Sequence, residues 1–413
     1  MFFLIEQDFP QEVEYSPGIK VFLCLRNYTK AFFRANFRQG GIPLSKEKTI
    51  SNWQLKTMLF MFILGSYIIV GGATAGRAGK DVWIALILAT GVAIGFFFVL
   101  AALQKRFPGK DLGDYNTIVF GKFLGTFINI IYLVYFIFLE ILVYGNLIFL
   151  FTDLFFEQTP NWAIASAMNF LTVIINLSGL EAIAGMSELT SPIMIILIAL
   201  TTFFALISPA VDLGSLFPIG ASGLIPILEA TRNNLSFPMG EIIVFAMFFH
   251  RIEKPKDLRN DLIKGAIFAV VILLITIIRN ILVFGGTLEI FSFPSAMVVR
   301  HIEVGGFIER VEPIVIIGWF FSIFLKASIL LYVSVAMASK ITGIKNKLYL
   351  IIPIIAIGHT LGPTLLGTEF IIRFINDYVY PWMFILQMGV PVLLLLIARG
   401  TRSEWEKASN FLI

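Results

Sequence analysis

Long apolar segments recur along the chain and are separated by short polar connections. A helix needs about 20 apolar residues to cross the roughly 30 Å hydrocarbon core of a bilayer. About ten segments have this character, and they cover residues 54–76, 81–104, 122–151, 160–178, 182–209, 222–250, 262–286, 311–339, 347–367 and 375–398. The pattern predicts an all-α membrane protein of about ten transmembrane helices.

Lys and Arg are concentrated in every second connection between these segments. The connections at residues 105–122 and 251–264 are rich in basic residues, whereas the connection at 287–310 holds only Arg300 and Arg310. Because basic residues favour the cytoplasmic side, both termini are predicted to be cytoplasmic. The predicted inner connection at 178–188 carries no Lys or Arg and does not strengthen this assignment.

The N-terminal segment differs from the rest of the chain. Arg26, Lys30, Arg34 and Arg38 recur every four residues. This spacing is typical of a basic amphipathic helix on an anionic inner leaflet; an unstructured tail, or a stretch that the native protein lacks, is the alternative. We predict a basic cytoplasmic extension at 1–50, a ten-helix permease-like domain at 51–402 and a cytoplasmic tail at 403–413.

Ten helices divide into two halves of five. Because each half has an odd number of helices, the two halves lie in the membrane in opposite orientations. In this inverted-repeat layout of secondary transporters, the binding site lies near the middle of the membrane, where helices are discontinuous. The first segment contains Gly65-Ser66, and the sixth contains Pro238, Gly240 and Glu241. Proline removes a backbone donor and glycine adds backbone freedom, so helices 1 and 6 are predicted to be broken there. Close packing of small residues is the alternative for Gly65-Ser66.

Three charged residues fall in the middle of predicted membrane segments, namely Glu140, Glu241 and Lys326. A charge at the centre of a membrane helix costs about 2.5–3.5 kcal/mol on insertion scales, so each charge needs a reason to be there. We predict a buried polar network in which Lys326 pairs with one or both carboxylates. Lys326 can take the place of a bound cation or shuttle a proton; an ion pair that only holds helices together is the alternative.

The composition argues against several other classes of protein. The chain is 58% hydrophobic and 14% charged, whereas about a quarter of the residues in soluble domains are charged. One cysteine and three scattered histidines give no metal-ligand spacing. The sequence contains no phosphate-binding loop and no nucleophile motif. We therefore expect no enzymatic activity, no metal or other cofactor, and no nucleic-acid partner.

Several short motifs resemble, in their order and spacing, those of B-type spore germination permeases. They lie between about residues 49 and 400 and include Ile50–Leu55, Ala78–Trp83, Arg106–Leu112, Gly179–Ala184, Ser236–Glu241 and Glu309–Glu312. The resemblance implies the amino acid–polyamine–organocation superfamily and a LeuT-like five-plus-five fold. It also implies the B subunit of a germinant receptor in the inner membrane of a bacterial endospore, working beside an A-type and a C-type subunit. The chain departs from the family at Gly185-Met186, where an arginine is usual.

The resemblance also implies where a ligand binds. The expected ligand-binding residues are Gly65, Ser66, Tyr67, Phe237, Met239 and Glu241. Free N–H groups at broken helix ends suit a carboxylate, which favours an amino acid over a sugar or a nucleoside. We therefore expect a nutrient-sensing subunit that triggers spore germination; a proton-coupled amino acid transporter is the alternative.

Overall fold

The structure is a computed structural model of the 413-residue chain. It describes residues 49–66, 76–154, 156, 158–291, 293–300, 312–365, 374 and 378–400. The predicted N-terminal extension before Thr49, the C-terminal tail and Tyr67 lie outside the described residues, as do the first three residues of the Glu309–Glu312 motif. The predictions made for them stay predictions.

Helices form almost all of the regular structure among the described residues. They are α1 (Asn52–Leu64), α2 (Val82–Arg106), α3 (Leu112–Leu154), α4 (Asn161–Ser178), α5 (Leu180–Leu206), α6 (Leu224–Asn234), α7 (Leu258–Phe284), α8 (Pro294–Arg300), α9 (Glu312–Thr342), α10 (Leu348–Leu365), α11 (Tyr380–Phe384) and α12 (Val390–Gly400). Within the described part of the chain, six helices are long and apolar enough to cross a membrane. The all-α prediction is confirmed, whereas the total of ten membrane helices stays a prediction.

Large apolar side chains lie on the outer surface of the helix bundle. Phe127 of α3 is 56% exposed, Ile196 of α5 is 58% exposed and Leu396 of α12 is 59% exposed. Such a surface is unfavourable in water and is matched by lipid. The chain is therefore a multi-pass membrane protein, as its apolar segments predict.

Helix α1 lies inside the bundle. Every residue from Thr57 to Leu64 is buried, and the helix packs against α5, α7 and α9. Its start is defined by a capping box, in which the Ser51 hydroxyl accepts from the Gln54 backbone N–H and the Gln54 side chain accepts from the Ser51 N–H. A helix that is apolar all round belongs in the interior of a larger structure.

The backbone is irregular where helix 6 is predicted to be broken, whereas the break of helix 1 stays a prediction because the residues after Ser66 lie outside the described residues. Helix α1 ends at Leu64, and the next two residues form a turn. After α6, residues Leu235–Met239 form a π-helical turn in which Phe237 is extended (φ −144°, ψ 115°), and Gly240–Met247 continue as a 3-10 helix. Irregular backbone at membrane depth is tolerated where protein surrounds it. Apart from the partly buried Gly65 and Leu235, all of these residues are buried.

Two connections differ from the sequence-based prediction because single glycines change the direction of the chain. The connection predicted at 178–188 is much shorter than expected, since α5 begins at Leu180 and only Gly179, with φ +98°, separates it from α4. Helix α3 begins at Leu112, before the predicted segment, and is interrupted at Gly121, with φ +79°. Glycine adopts these backbone conformations without the steric cost of a side chain.

Candidate functional site

A buried ion pair joins the two interrupted segments to α9. Lys326 Nζ lies 2.6 Å from Glu241 Oε2 and donates a second hydrogen bond of 2.6 Å to the Ser66 hydroxyl. Lys326 is 0% exposed and Glu241 is 1% exposed. Two buried charges tolerate the loss of water only when they are close and further hydrogen bonds satisfy them. Ser66 and Glu241 therefore fix the Lys326 ammonium where α1, the residues after α6 and α9 meet.

Two aromatic rings complete the surroundings of the ammonium group. Lys326 Nζ lies 5.0 Å from the ring centroid of Phe62 and 4.6 Å from that of Phe237. The negative face of an aromatic ring attracts a cation, and the attraction grows when water is excluded. Phe237 in turn stacks on Tyr380, with centroids 5.5 Å apart and ring planes 9° from parallel. The rings hold the cation between the two interrupted segments.

Gly65 lets α9 approach the end of α1. A Cβ atom at this position would lie 2.9 Å from both Cβ and Cδ of Lys326 and 3.0 Å from the Ser322 carbonyl oxygen. The Lys326 stem therefore occupies the space that any larger residue at position 65 would need. Helix α9 can approach α1 this closely only because Gly65 has no side chain.

A small cavity lies beside the ion pair. The region in which the centre of a water molecule fits measures about 10 Å³, which is room for about one water. Its polar walls come from Asn146, Glu241 and Lys326, and its other lining residues are Gly65, Leu139, Leu142, Val143, Leu150, Phe237, Phe293 and Ile323. Mostly apolar walls with a few convergent polar groups are typical of small-molecule sites. Among the described residues, the space beside the ion pair is therefore too small for an amino acid.

The C-terminal helices hold the irregular segment after α6 in place. Gln387 Nε2 donates to the Tyr135 hydroxyl (2.7 Å) and to the Ser236 carbonyl oxygen (2.8 Å), while the Ser236 hydroxyl donates to the Tyr380 carbonyl oxygen (2.6 Å). A Cβ atom at Gly240 would overlap the Gln387 side-chain oxygen. Backbone groups that the broken helix leaves free are thus satisfied by side chains, as burial in an apolar environment requires.

The predicted ligand-binding residues have different positions relative to the cavity. Those that line it are Gly65, Phe237 and Glu241. Ser66 contacts the Lys326 ammonium that forms one wall. Met239 is fully buried but is not among the lining residues, and Tyr67 lies outside the described residues.

Of the three charges in the predicted network, Lys326 and Glu241 form an ion pair, and Ser66 accepts a hydrogen bond from Lys326. Glu140 is also 0% exposed, but neither of its carboxylate oxygens has a hydrogen-bond partner among the described residues. Its Cγ lies beside Gly358 of α10, 4.0 Å from where a Cβ atom of that residue would be. The structure therefore places Glu140 apart from the ion pair.

The contributions of α3 and of Gln387 to the site are not evident from the sequence patterns. Leu139, Leu142, Val143 and Asn146 recur every three or four residues, a spacing that is common to any buried face of a helix. Asn146 and Gln387 are lone amides in apolar runs. Such isolated amides indicate polar contacts inside the protein, because burying an amide in apolar surroundings is costly without a hydrogen-bond partner.

The family of the chain is shown by comparison of its sequence with known proteins. Residues 49–361 match the profile of the family described as "Spore germination protein". The chain belongs to this family. Spore germination protein KB of Bacillus subtilis is 26% identical over 310 residues, which are 74% of this chain and 82% of that protein. Spore germination protein YndE of the same species is 26% identical over 361 residues, which are 84% and 94% of the two chains.

Solved structures of membrane transporters share the fold. Mhp1, a nucleobase-cation-symport-1 family transporter in a closed conformation with bromovinylhydantoin bound, superposes with a TM-score of 0.59 at 14% identity, covering 86% of this chain and 92% of that one. A Na⁺-coupled sialic acid symporter in a substrate-bound outward-open state gives a TM-score of 0.60 at 12% identity, covering 84% and 82%. The predicted LeuT-like transporter fold is confirmed.

Proposed function

We propose that this chain is the nutrient-sensing B subunit of a germinant receptor and that an amino acid binds between Glu241 and Lys326. It acts in the inner membrane of the endospore, with both termini cytoplasmic, beside an A-type and a C-type subunit. The observation that carries the proposal is the buried Glu241–Lys326 pair at the junction of the interrupted segments, in a member of a spore germination family. Fold and family alone do not name a ligand.

The charges of the site suit a zwitterion. When Glu241 and Lys326 separate, each is left buried and without its partner, which is strongly unfavourable. An α-amino acid supplies an ammonium group for Glu241 and a carboxylate for Lys326, so neither charge is left alone. A neutral sugar offers hydroxyl groups but no charge of either sign. The need to compensate both buried charges therefore favours an amino acid as the ligand.

Binding at this site requires movement, because the cavity has room for about one water. The residues after the irregular segment continue to Arg251, whose guanidinium lies 3.0 Å from Glu181 Oε1 and 2.8 Å from the Tyr332 hydroxyl. These contacts connect the candidate site to α5 and α9 on the predicted cytoplasmic side. A ligand that prefers the opened site shifts the population toward that state, and partner subunits respond to the change.

The proposal predicts the response of spores to nutrients. Spores that lack this gene are expected to lose germination with one or more amino acids in a panel of amino acids, sugars and nucleosides. Complementation with Gly65→Ala or Glu241→Gln is expected to leave the response at least about tenfold less sensitive, the size of a typical coupling between sites. Gly91→Ala in α2 is the matched control, because a Cβ atom there meets nothing within 4 Å.

Immunoblots of spore membranes check that each variant is present at the level of the wild type. Loss of response only to sugars or nucleosides would overturn the amino acid assignment. An unchanged response in the deletion strain, together with reduced amino acid uptake by growing cells, would favour the alternative of a proton-coupled transporter. A normal response of both Gly65→Ala and Glu241→Gln would remove the site from the proposal.

A further inference from the structure

Glu140 is a second buried acid, and the candidate nutrient site does not use it. Its side chain is inaccessible to solvent, and both carboxylate oxygens lack a hydrogen-bond partner among the described residues. An isolated carboxylate in an apolar interior is very costly, so a carboxyl group in such surroundings is neutral or neutralised by a bound cation.

The packing of α3 against α10 encloses this carboxyl group. A Cβ atom at Gly358 would lie 4.0 Å from Glu140 Cγ and 3.8 Å from Tyr144 Cδ2, and a Cβ atom at Gly362 would lie 3.2 Å from the Gly145 backbone nitrogen. Small residues spaced four apart let two membrane helices approach closely. Glu140 therefore lies at the contact between α3 and α10.

The charged and titratable groups on the neighbouring elements have other contacts or are exposed. His359 Nδ1 of α10 lies 2.8 Å from Asn169 Nδ2, and Lys326 pairs with Glu241. Lys340 pairs with Asp111 and Asp114 near the start of α3. Tyr332 accepts from Arg251, and Tyr349 is 70% exposed. None of these residues forms a hydrogen bond or an ion pair with Glu140 within the described part of the chain.

We propose that Glu140 is a proton-binding site, separate from the candidate nutrient site, and that its proton is released to water when the protein changes conformation. A proton needs one carboxylate oxygen, whereas hard metal cations such as Ca²⁺ and Mg²⁺ take about six or more oxygen ligands. No group of three or more Asp, Glu, His or Cys side chains that could hold a metal ion occurs among the described residues. The surroundings of Glu140 therefore favour a proton.

Helix α3 connects the two sites. Its residues Leu139, Leu142, Val143 and Asn146 line the cavity beside the ion pair, while Glu140 on the same helical turn faces α10. If opening of the cavity moves α3, the contact with α10 changes as well, and a hydrated Glu140 then gives up its proton. This coupling rests on the proposed function, whereas the occupancy of the site by a proton does not.

Infrared spectroscopy of the purified full chain in lipid nanodiscs tests the proton directly. A protonated carboxyl group has a C=O stretching band that a carboxylate lacks. At neutral pH the wild-type protein is expected to show such a band, Glu140→Gln to lose it and Glu241→Gln to keep it. Identical spectra of the wild type and Glu140→Gln would overturn the proposal. Loss of the band when Na⁺ replaces K⁺ at constant pH would overturn it in favour of a sodium site.

Nutrient-triggered germination tests the release of the proton. Glu140→Gln stays neutral permanently and is expected to reduce nutrient sensitivity by at least about tenfold, whereas Glu140→Asp, which still titrates, is expected to respond. Immunoblots confirm that both variants reach the membrane. A wild-type response of Glu140→Gln would overturn release as part of the mechanism. Failure of the proposed function is distinguishable, because wild-type protein would then show no nutrient dependence while the infrared band remains.

Discussion

At the scale of single residues, the position of a charge in a membrane helix is informative because the membrane tolerates few of them. Lys326, Glu241 and Glu140 were identified on this ground alone. In the structure, Lys326 and Glu241 compensate each other at 2.6 Å, while Glu140 has no such partner among the described residues. The cost of a charge in the membrane makes all three residues rare. For Lys326 and Glu241, the ion pair between them offsets this cost.

The ion pair makes a prediction about stability. Lys326→Met or Glu241→Gln leaves one buried group without its partner, a loss of up to about 3–5 kcal/mol for a buried pair. The double variant removes both charges, so its loss is expected to be smaller than the sum of the single losses by about 1–3 kcal/mol. Thermal unfolding of the detergent-solubilised protein, monitored for all four proteins, measures this difference. Strictly additive effects would show that the two side chains do not interact in the folded protein.

At the scale of elements, the segment after α6 is irregular yet almost entirely buried. Pro238 and Gly240 explain why a regular helix is unfavourable there. They do not explain what satisfies the backbone groups that the irregularity frees. Gln387 does so from the other end of the chain, since it donates to the Ser236 carbonyl oxygen and to Tyr135. The irregular backbone around Ser236 therefore depends on a contact with Gln387, which lies far away in the sequence.

Removal of that amide is expected to destabilise the protein. Gln387→Ala leaves the buried Ser236 carbonyl oxygen and the Tyr135 hydroxyl without their donor, at a cost of about 1–3 kcal/mol. Gln158→Ala is the control, because Gln158 is exposed in a turn. The apparent melting temperature in detergent should fall for Gln387→Ala and stay constant for Gln158→Ala. Equal melting temperatures would mean that the irregular segment does not depend on this contact.

At the scale of the whole molecule, the distribution of basic residues predicts the orientation of the chain in the membrane. Because connections rich in Lys and Arg alternate with connections that are not, many loops contribute to the predicted orientation. It places the connection between α5 and α6 outside and the connection between α9 and α10 inside. Both connections are described in the structure and contain exposed residues, so the orientation is open to a labelling experiment.

Cysteine labelling tests the orientation. Cys24 is the one cysteine of the chain, so Cys24→Ser provides a background free of thiols. Ala221→Cys is expected to react with a membrane-impermeant maleimide on intact cells, whereas Lys345→Cys should react only after permeabilisation. Both positions are exposed in the structure, which makes them a matched pair. The opposite pattern of labelling would reverse the predicted topology.

The sequence by itself determined the class of fold and the charged residues of interest, and it predicted the membrane segments and the two interruptions. It could do so because a bilayer demands long apolar runs, penalises buried charge and leaves helix breakers conspicuous. Tertiary structure alone decided that Lys326 faces Glu241 while Glu140 faces α10. It also decided that the single residue Gly179 connects α4 to α5. The contributions of α3 and Gln387 to the site were likewise decided only by the tertiary structure. These outcomes depend on the rotation and packing of whole helices, which local sequence patterns do not encode.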